Sequence, residues 1–182
     1  EIYGGSYTNI TRNVIDYSNQ RSIECYYNDY NYIAHNSISN TRFGVYLYQS
    51  DHNTVYNNTM QDMTNWDSYG VRVFGDYNNI SENAIERCFK AGISLEGNFI
   101  TILDNTIDTT NESGIILESC SNFNVENNVI TNVPEFGIDL VDSESGDVLG
   151  NLLFNCGFNV DGEPSLMSSL NLDDSNLVNG KK

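Results

Sequence analysis

The sequence predicts an all-β fold, a single-stranded parallel β-helix of about seven coils, each of 22–25 residues with three short strands. Two observations predict it. Asparagine recurs at positions 13, 36, 58, 83, 105, 128 and 151, at spacings of 23, 22, 25, 22, 23 and 23 residues. A period of this size signals a stacked repeat. Each period also carries one apolar template. Gly92, Ile93, Leu95, a polar turn, then Ile102, Asn105 and Ile107 have counterparts in the stretches from Gly44 to Met60, Gly70 to Ile85, Gly114 to Ile130 and Gly137 to Leu153. Ser22 to Ile38 repeats the template with Ser for Gly, and Ile10 to Ile15 supplies the back half of one more. Short runs of alternating apolar residues read as strands, and no run is long enough for an amphipathic helix.

Each part of the coil has a physical reason. The Gly ahead of the first strand allows a tight approach from a longer loop. The β-branched and Leu positions point inward. Between the second and third strands the chain turns within about two residues, and Asn tolerates the left-handed conformation that such a turn requires. Its amide can also bond to the Asn one coil above and below, forming a ladder. Residues 1–155 are expected to form the helix, and 156–182 a loop, one last strand and a tail. Ser169–Leu172 reads as that strand, in first-strand position, and Asp173 to Lys182 as the tail. Ile2 falls inside a coil, so further domains or coils of the same chain are expected upstream.

Charge narrows the partners. The net charge is −17 and the pI about 4.1. Phosphate binding needs a basic face, so nucleic acid is not expected. There is no apolar run of about 18 residues, hence no expected membrane span. Cys88 and Cys156 occupy equivalent loop positions three coils apart, roughly 14 Å at the strand spacing, beyond disulfide reach. The four cysteines read as small buried hydrophobes.

The Gly-Ile-x-Leu segments and the Asn turns, over about residues 2–155, resemble the right-handed parallel β-helix repeats of the pectate-lyase-like superfamily. That group includes NosD-type repeats and archaeal surface proteins of the disaggregatase kind, the last similar in their acidic, Asn/Tyr-rich coils. The resemblance implies a right-handed helix, an extracellular or cell-surface location, and a groove along the outer face of the first strand. The fold also hosts inert and adhesive modules, so a structural surface module without activity stays open beside a carbohydrate-active one.

On that face two outward rows follow from the alternation. One runs Glu24, Tyr46, Arg72, Ser94, Ile116, Asp139, and the other Tyr26, Tyr48, Phe74, Glu96, Glu118, Val141. Of only eight basic residues, Arg42, Arg72 and Lys90 stand on or just before first strands in consecutive coils. The longest loop, Gln61 to Tyr69, carries Asp62, Asp67 and the single Trp, Trp66. Aromatic and cationic rows suit an acidic, uronic-acid-containing polysaccharide. The expected binding residues are Tyr26, Arg42, Tyr46, Tyr48, Trp66 and Phe74, with Trp66 over Arg72 and Tyr48. Elimination would use Arg72 or Lys90 as base or charge neutraliser. Hydrolysis would use two carboxylates, Asp67 and Glu96. Glu96 and Glu118 are the candidates for calcium.

Overall fold

The computed structural model describes residues 2–181. Among these, strands dominate, and the single helix is one turn, Pro164–Met167. The strands form three eight-stranded parallel sheets, each taking every third strand in chain order. The chain is therefore a parallel β-solenoid of about eight coils. The front sheet runs Ile2–Tyr3, Arg21–Tyr26, Phe43–Tyr48, Tyr69–Phe74, Ala91–Glu96, Ser113–Glu118, Ile138–Val141 and Phe158–Asp161. Its register repeats the template: Val71 pairs with Val45 and Ile93, and Val73 with Leu47 and Leu95.

The interior consists of like-on-like columns. Val45, Val71, Ile93, Ile115 and Ile138 form one, and Met60, Ile85, Ile107, Ile130 and Leu153 another, all essentially buried. Each such side chain contributes about 1.5–3 kcal/mol by leaving water. Cys25, Cys88 and Cys120 are buried and Cys156 half-buried, all as free thiols. Burial pushes the Cys88 thiol up to about 12 and those of Cys25 and Cys120 up to about 11. They are packing residues, as expected.

The asparagine ladder is present and longer than the sequence indicated. Each ladder Asn donates both its backbone N–H and its side-chain amide to the carbonyl Oδ1 of the Asn one coil on. The chain of bonds runs from Asn13 through Asn36, Asn58, Asn83, Asn105, Asn128 and Asn151 to Asn176, at 2.9–3.0 Å. One expectation is corrected. The left-handed residue of this turn is not the Asn but the residue before it: Arg12, His35, Asn57, Glu82, Asp104, Asn127 and Gly150, with φ of 48–64°. The role of the ladder Asn is hydrogen bonding alone. The corner after the front sheet has the same construction. There the left-handed residues Tyr7, Tyr30, His52, Tyr77 and Phe99 stack ring on ring at 4.6–5.0 Å. A second, shorter ladder, Asn31–Asn53–Asn78, lies just inside it.

The front-sheet glycines are set by space, not by φ. A Cβ on Gly70 would sit 2.5 Å from Ile85 Cγ2, and one on Gly92 would sit 2.6 Å from Ile107 Cγ2. Only a glycine lets the first strand lie this close to the third.

The C-terminal segment differs from expectation. Phe158–Asp161 extends the front sheet, Asn171–Leu172 the second and Leu177–Val178 the third, completing an eighth coil. Asn171–Leu172 is thus a second-sheet strand, not a first strand, because the helix at Pro164 fills the turn between. The segment expected as a tail, from Asp173, contributes Asn176 and the last strand. No described helix is long and apolar enough to cross a membrane.

Candidate functional site

The outer face of the front sheet carries an aromatic cluster. Tyr3, Tyr26, Tyr48 and Phe74 follow one another along one row, with ring centroids 4.9, 5.6 and 5.6 Å apart. Beside them lie Tyr46, 5.5 Å from Phe43, and Tyr69, stacked 5.6 Å from Phe43. Phe43, Tyr46 and Tyr69 are buried although they stand outside the solenoid wall. Burial pushes the Tyr46 and Tyr69 hydroxyls up. Burial, reinforced by a hydrogen bond with Glu24, raises that of Tyr26 to about 12.

Cations cover these rings. The Arg21 guanidinium carbon is 3.9 Å from the Tyr46 ring centre, and that of Arg72 is 4.6 Å from Tyr69 and 5.0 Å from Phe74. Arg42 lies 5.2 Å from Phe43 and 5.8 Å from Trp66. Such contacts contribute about 0.5–2 kcal/mol, more where water is excluded. The Lys90 charge opposes the rise of the Tyr69 hydroxyl. Trp66, 75% exposed, is therefore a partner of Arg42, where Arg72 and Tyr48 were expected.

Carboxylates neutralise much of the cationic row. Asp67 accepts from Arg42 Nη2 at 3.0 Å and stands 4.0 Å from Arg72 Nη1. Arg21 is paired with Glu24. One Asp67 oxygen is thus held by Arg42, and the other faces Arg72 beyond hydrogen-bond distance. The carboxylate nearest Glu96 along the row is Glu118, its neighbour one coil on. Burial, then the charge of Glu118, raises the Glu96 carboxyl above its ordinary value, and Arg72 opposes the shift. Glu96 and Glu118 alone do not make a calcium site. Calcium takes six to eight oxygen ligands, and no group of three or more His, Cys, Asp or Glu side chains suited to a metal occurs among the described residues.

Every candidate binding, catalytic or calcium residue named from the sequence thus lies on or beside one face, whereas Asp62 lies on the third sheet, paired with Arg87. Tyr26, Tyr46, Tyr48, Arg72, Phe74, Glu96 and Glu118 stand on it, and Arg42, Trp66, Asp67 and Lys90 on the loops at its edge. The sequence reading missed Phe43 and Tyr69, and Arg21 opens the strand Arg21–Tyr26. By strict alternation Tyr69 and Ala91 should point inward. The glycine that follows each breaks the alternation: the space beyond its missing Cβ faces the core, and the residue before it turns outward. The signal was available in the recurrence of Arg21, Phe43 and Tyr69 one residue ahead of the Gly position.

The geometry defines a parallel β-solenoid with one ring-lined outer face. The family described as "Right handed beta helix region" matches residues 1–108 and 62–181, and the chain belongs to it. No curated protein sequence matches the chain. Among solved structures it is similar to the catalytic domain of a GH87 α-1,3-glucanase in complex with nigerose, with a TM-score of 0.70 and 16% identity over 94% of this chain. An alanine variant of that domain with nigerose gives a TM-score of 0.71 at 16% identity over 94%. Another, with tetrasaccharides, gives 0.69 at 17% over 96%. The chain spans 45–46% of the length of these structures. At such identity the likeness is one of fold.

Proposed function

We propose that the outer face of the front sheet binds, and processes, an acidic polysaccharide outside the cell or at its surface. The observation that carries this reading is the continuous row Tyr3–Tyr26–Tyr48–Phe74, with Arg21 and Arg72 against its rings and Arg42 at its edge. Neighbouring strands are about 4.8 Å apart, close to the rise of one sugar in a polymer. A glycan laid along the solenoid axis would meet a ring or a cation at each of the first four coils. The solved structures of the same fold that hold nigerose and tetrasaccharides support a sugar as the ligand. In the processing step Glu96 would act as the proton donor, since its surroundings favour the protonated form, with Glu118 as second carboxylate.

A second reading has its own observation. Arg21, Arg42 and Arg72 all have internal carboxylate neighbours, and the corner rings stack on one another. This favours a structural or adhesive module. Calorimetric titration with acidic and neutral oligosaccharides, followed by product analysis after incubation with the polymers, separates the two. Binding of an acidic oligomer supports the proposed site, and cleavage of the polymer its processing role; binding without cleavage leaves an adhesive module. Absence of any glycan binding leaves the structural module.

A further inference from the structure

The longest loop places a carboxylate between two arginines of the proposed groove. The Asn-to-Asn spacing across it is 25 residues, three more than in the coils before and after. Its ends are anchored: Met63 O accepts the Phe89 N–H at 2.7 Å, and Ser68 O accepts the Lys90 N–H at 3.0 Å. Between those anchors the tip meets the front face through Trp66 and Asp67. Asp67 Oδ2 accepts from Arg42 Nη2 at 3.0 Å, and its main-chain O faces Arg42 Nε at 3.4 Å.

The Arg72 side of this contact is incomplete. Its Nη1 is 4.0 Å from Asp67 Oδ1, and its Nε is buried with no hydrogen-bond partner. A guanidinium offers five donors in a fixed fork that matches a carboxylate. Here one arginine holds Asp67 at bonding distance while the other is left short of partners beside it. Side chains of all three remain 22–33% accessible, so a ligand can reach them.

We propose that Asp67 is a built-in occupant of an anion subsite, and that a ligand carboxylate exchanges with it for Arg42 and Arg72. This rests on the glycan-binding reading above and specifies its regulation. Asp67 stands where the carboxylate of a uronic-acid residue would bind. A neutral sugar has nothing to exchange and binds on the rings without displacing the loop. Exchange conserves the number of ion pairs, so wild-type affinity for an acidic chain depends weakly on salt. Without Asp67 the same ligand makes new ion pairs, and salt screens them.

The test compares wild type, Asp67→Asn and Arg42→Gln, each titrated with an oligogalacturonide and with a neutral nigero-oligosaccharide at low and high salt. If the internal carboxylate fills the subsite about nine-tenths of the time, its removal tightens acidic binding about tenfold. Asp67→Asn is expected to show that gain with a steeper salt dependence, and neutral binding should not change. Arg42→Gln should lose acidic affinity. Equal or weaker acidic binding by Asp67→Asn would overturn the proposal, since Asp67 would then be a support for the arginines.

A second readout does not need a glycan or a folded variant. Trp66 is the only tryptophan and adjoins Arg42, so release of the loop changes its emission. Citrate should shift wild-type Trp66 emission at constant ionic strength, whereas sucrose should not. A citrate response with no glycan binding would reject the proposed function and keep the exchange. No citrate response would reject the exchange even if glycans bind.

Discussion

Replacing Asn105 with Ala removes one rung from the centre of the long ladder. Asn105 is fully buried. Its Nδ2 donates to Ile80 O at 2.9 Å, to Leu103 O at 3.2 Å and to Asn128 Oδ1 at 3.0 Å. Its Oδ1 accepts the Asn83 N–H at 2.9 Å and the Asn83 amide at 3.0 Å. After truncation Asn128 Oδ1 keeps the Asn105 backbone N–H, and the Asn83 amide keeps Val55 O and Ser81 O. The Asn83 N–H loses the partner the side chain gave it, whereas Ile80 O stays in the ladder that pairs Ile80 with Ile102. A buried orphan costs about 1–3 kcal/mol, so the expected loss is about 1–3 kcal/mol. Asn13 is the control, because it is exposed and no ladder Asn donates to it among the described residues. Asn13→Ala should cost under about 1 kcal/mol. Urea midpoints of the two variants, read with the slope m to confirm one transition, make the comparison. Equal costs for the two, or a loss under about 0.5 kcal/mol for Asn105→Ala, would refute the ladder's role.

Other outcomes follow from the same geometry. Gly92→Ala places a Cβ 2.6 Å from Ile107 Cγ2 and 2.9 Å from Gly114 O, and overpacking of this kind costs about 1–3 kcal/mol. A thermal midpoint within error of wild type would show that the wall gives way. Glu96 has a raised folded-state carboxyl, so the wild type loses stability as pH rises from its unfolded value, near 4.5, through the folded one. Glu96→Gln should match the wild type below that window and exceed it above, in urea midpoints taken across pH. A variant no more stable at neutral pH would contradict the strain assigned to Glu96. If the protein cleaves its glycan, the same variant should lose turnover while keeping affinity.

Much of the solenoid was legible because one residue type does one job at a fixed period. The Asn amide donates and accepts along the stack at every coil, so Asn13 to Asn151 stand out. The left-handed corners were not legible, because their side chains point to solvent and many types serve, from Arg12 to Glu82. Asn176 was hidden by one extra residue. Val148 lies three before Asn151, but its partner Leu172 lies four before Asn176. The rows Tyr26–Tyr48–Phe74 and Tyr46–Arg72 were readable from strand alternation. Phe43 and Tyr69 were not, since a glycine reverses the alternation next to them. The pairing of Arg42 with Asp67 depends on how a loop folds across 25 residues, and no periodicity encodes it.

The most direct test of the front face as an acidic-glycan site is the double change Arg72→Ala with Trp66→Ala, titrated with an oligogalacturonide beside the wild type. Charge-assisted hydrogen bonds contribute about 1.5–3 kcal/mol, and 1.4 kcal/mol is a factor of ten. The account predicts binding by the wild type and at least tenfold weaker binding by the double variant, with a stability loss of about 1.5–3 kcal/mol from the three cation–π contacts. Equal affinity in the two proteins, or no binding by the wild type, would contradict it.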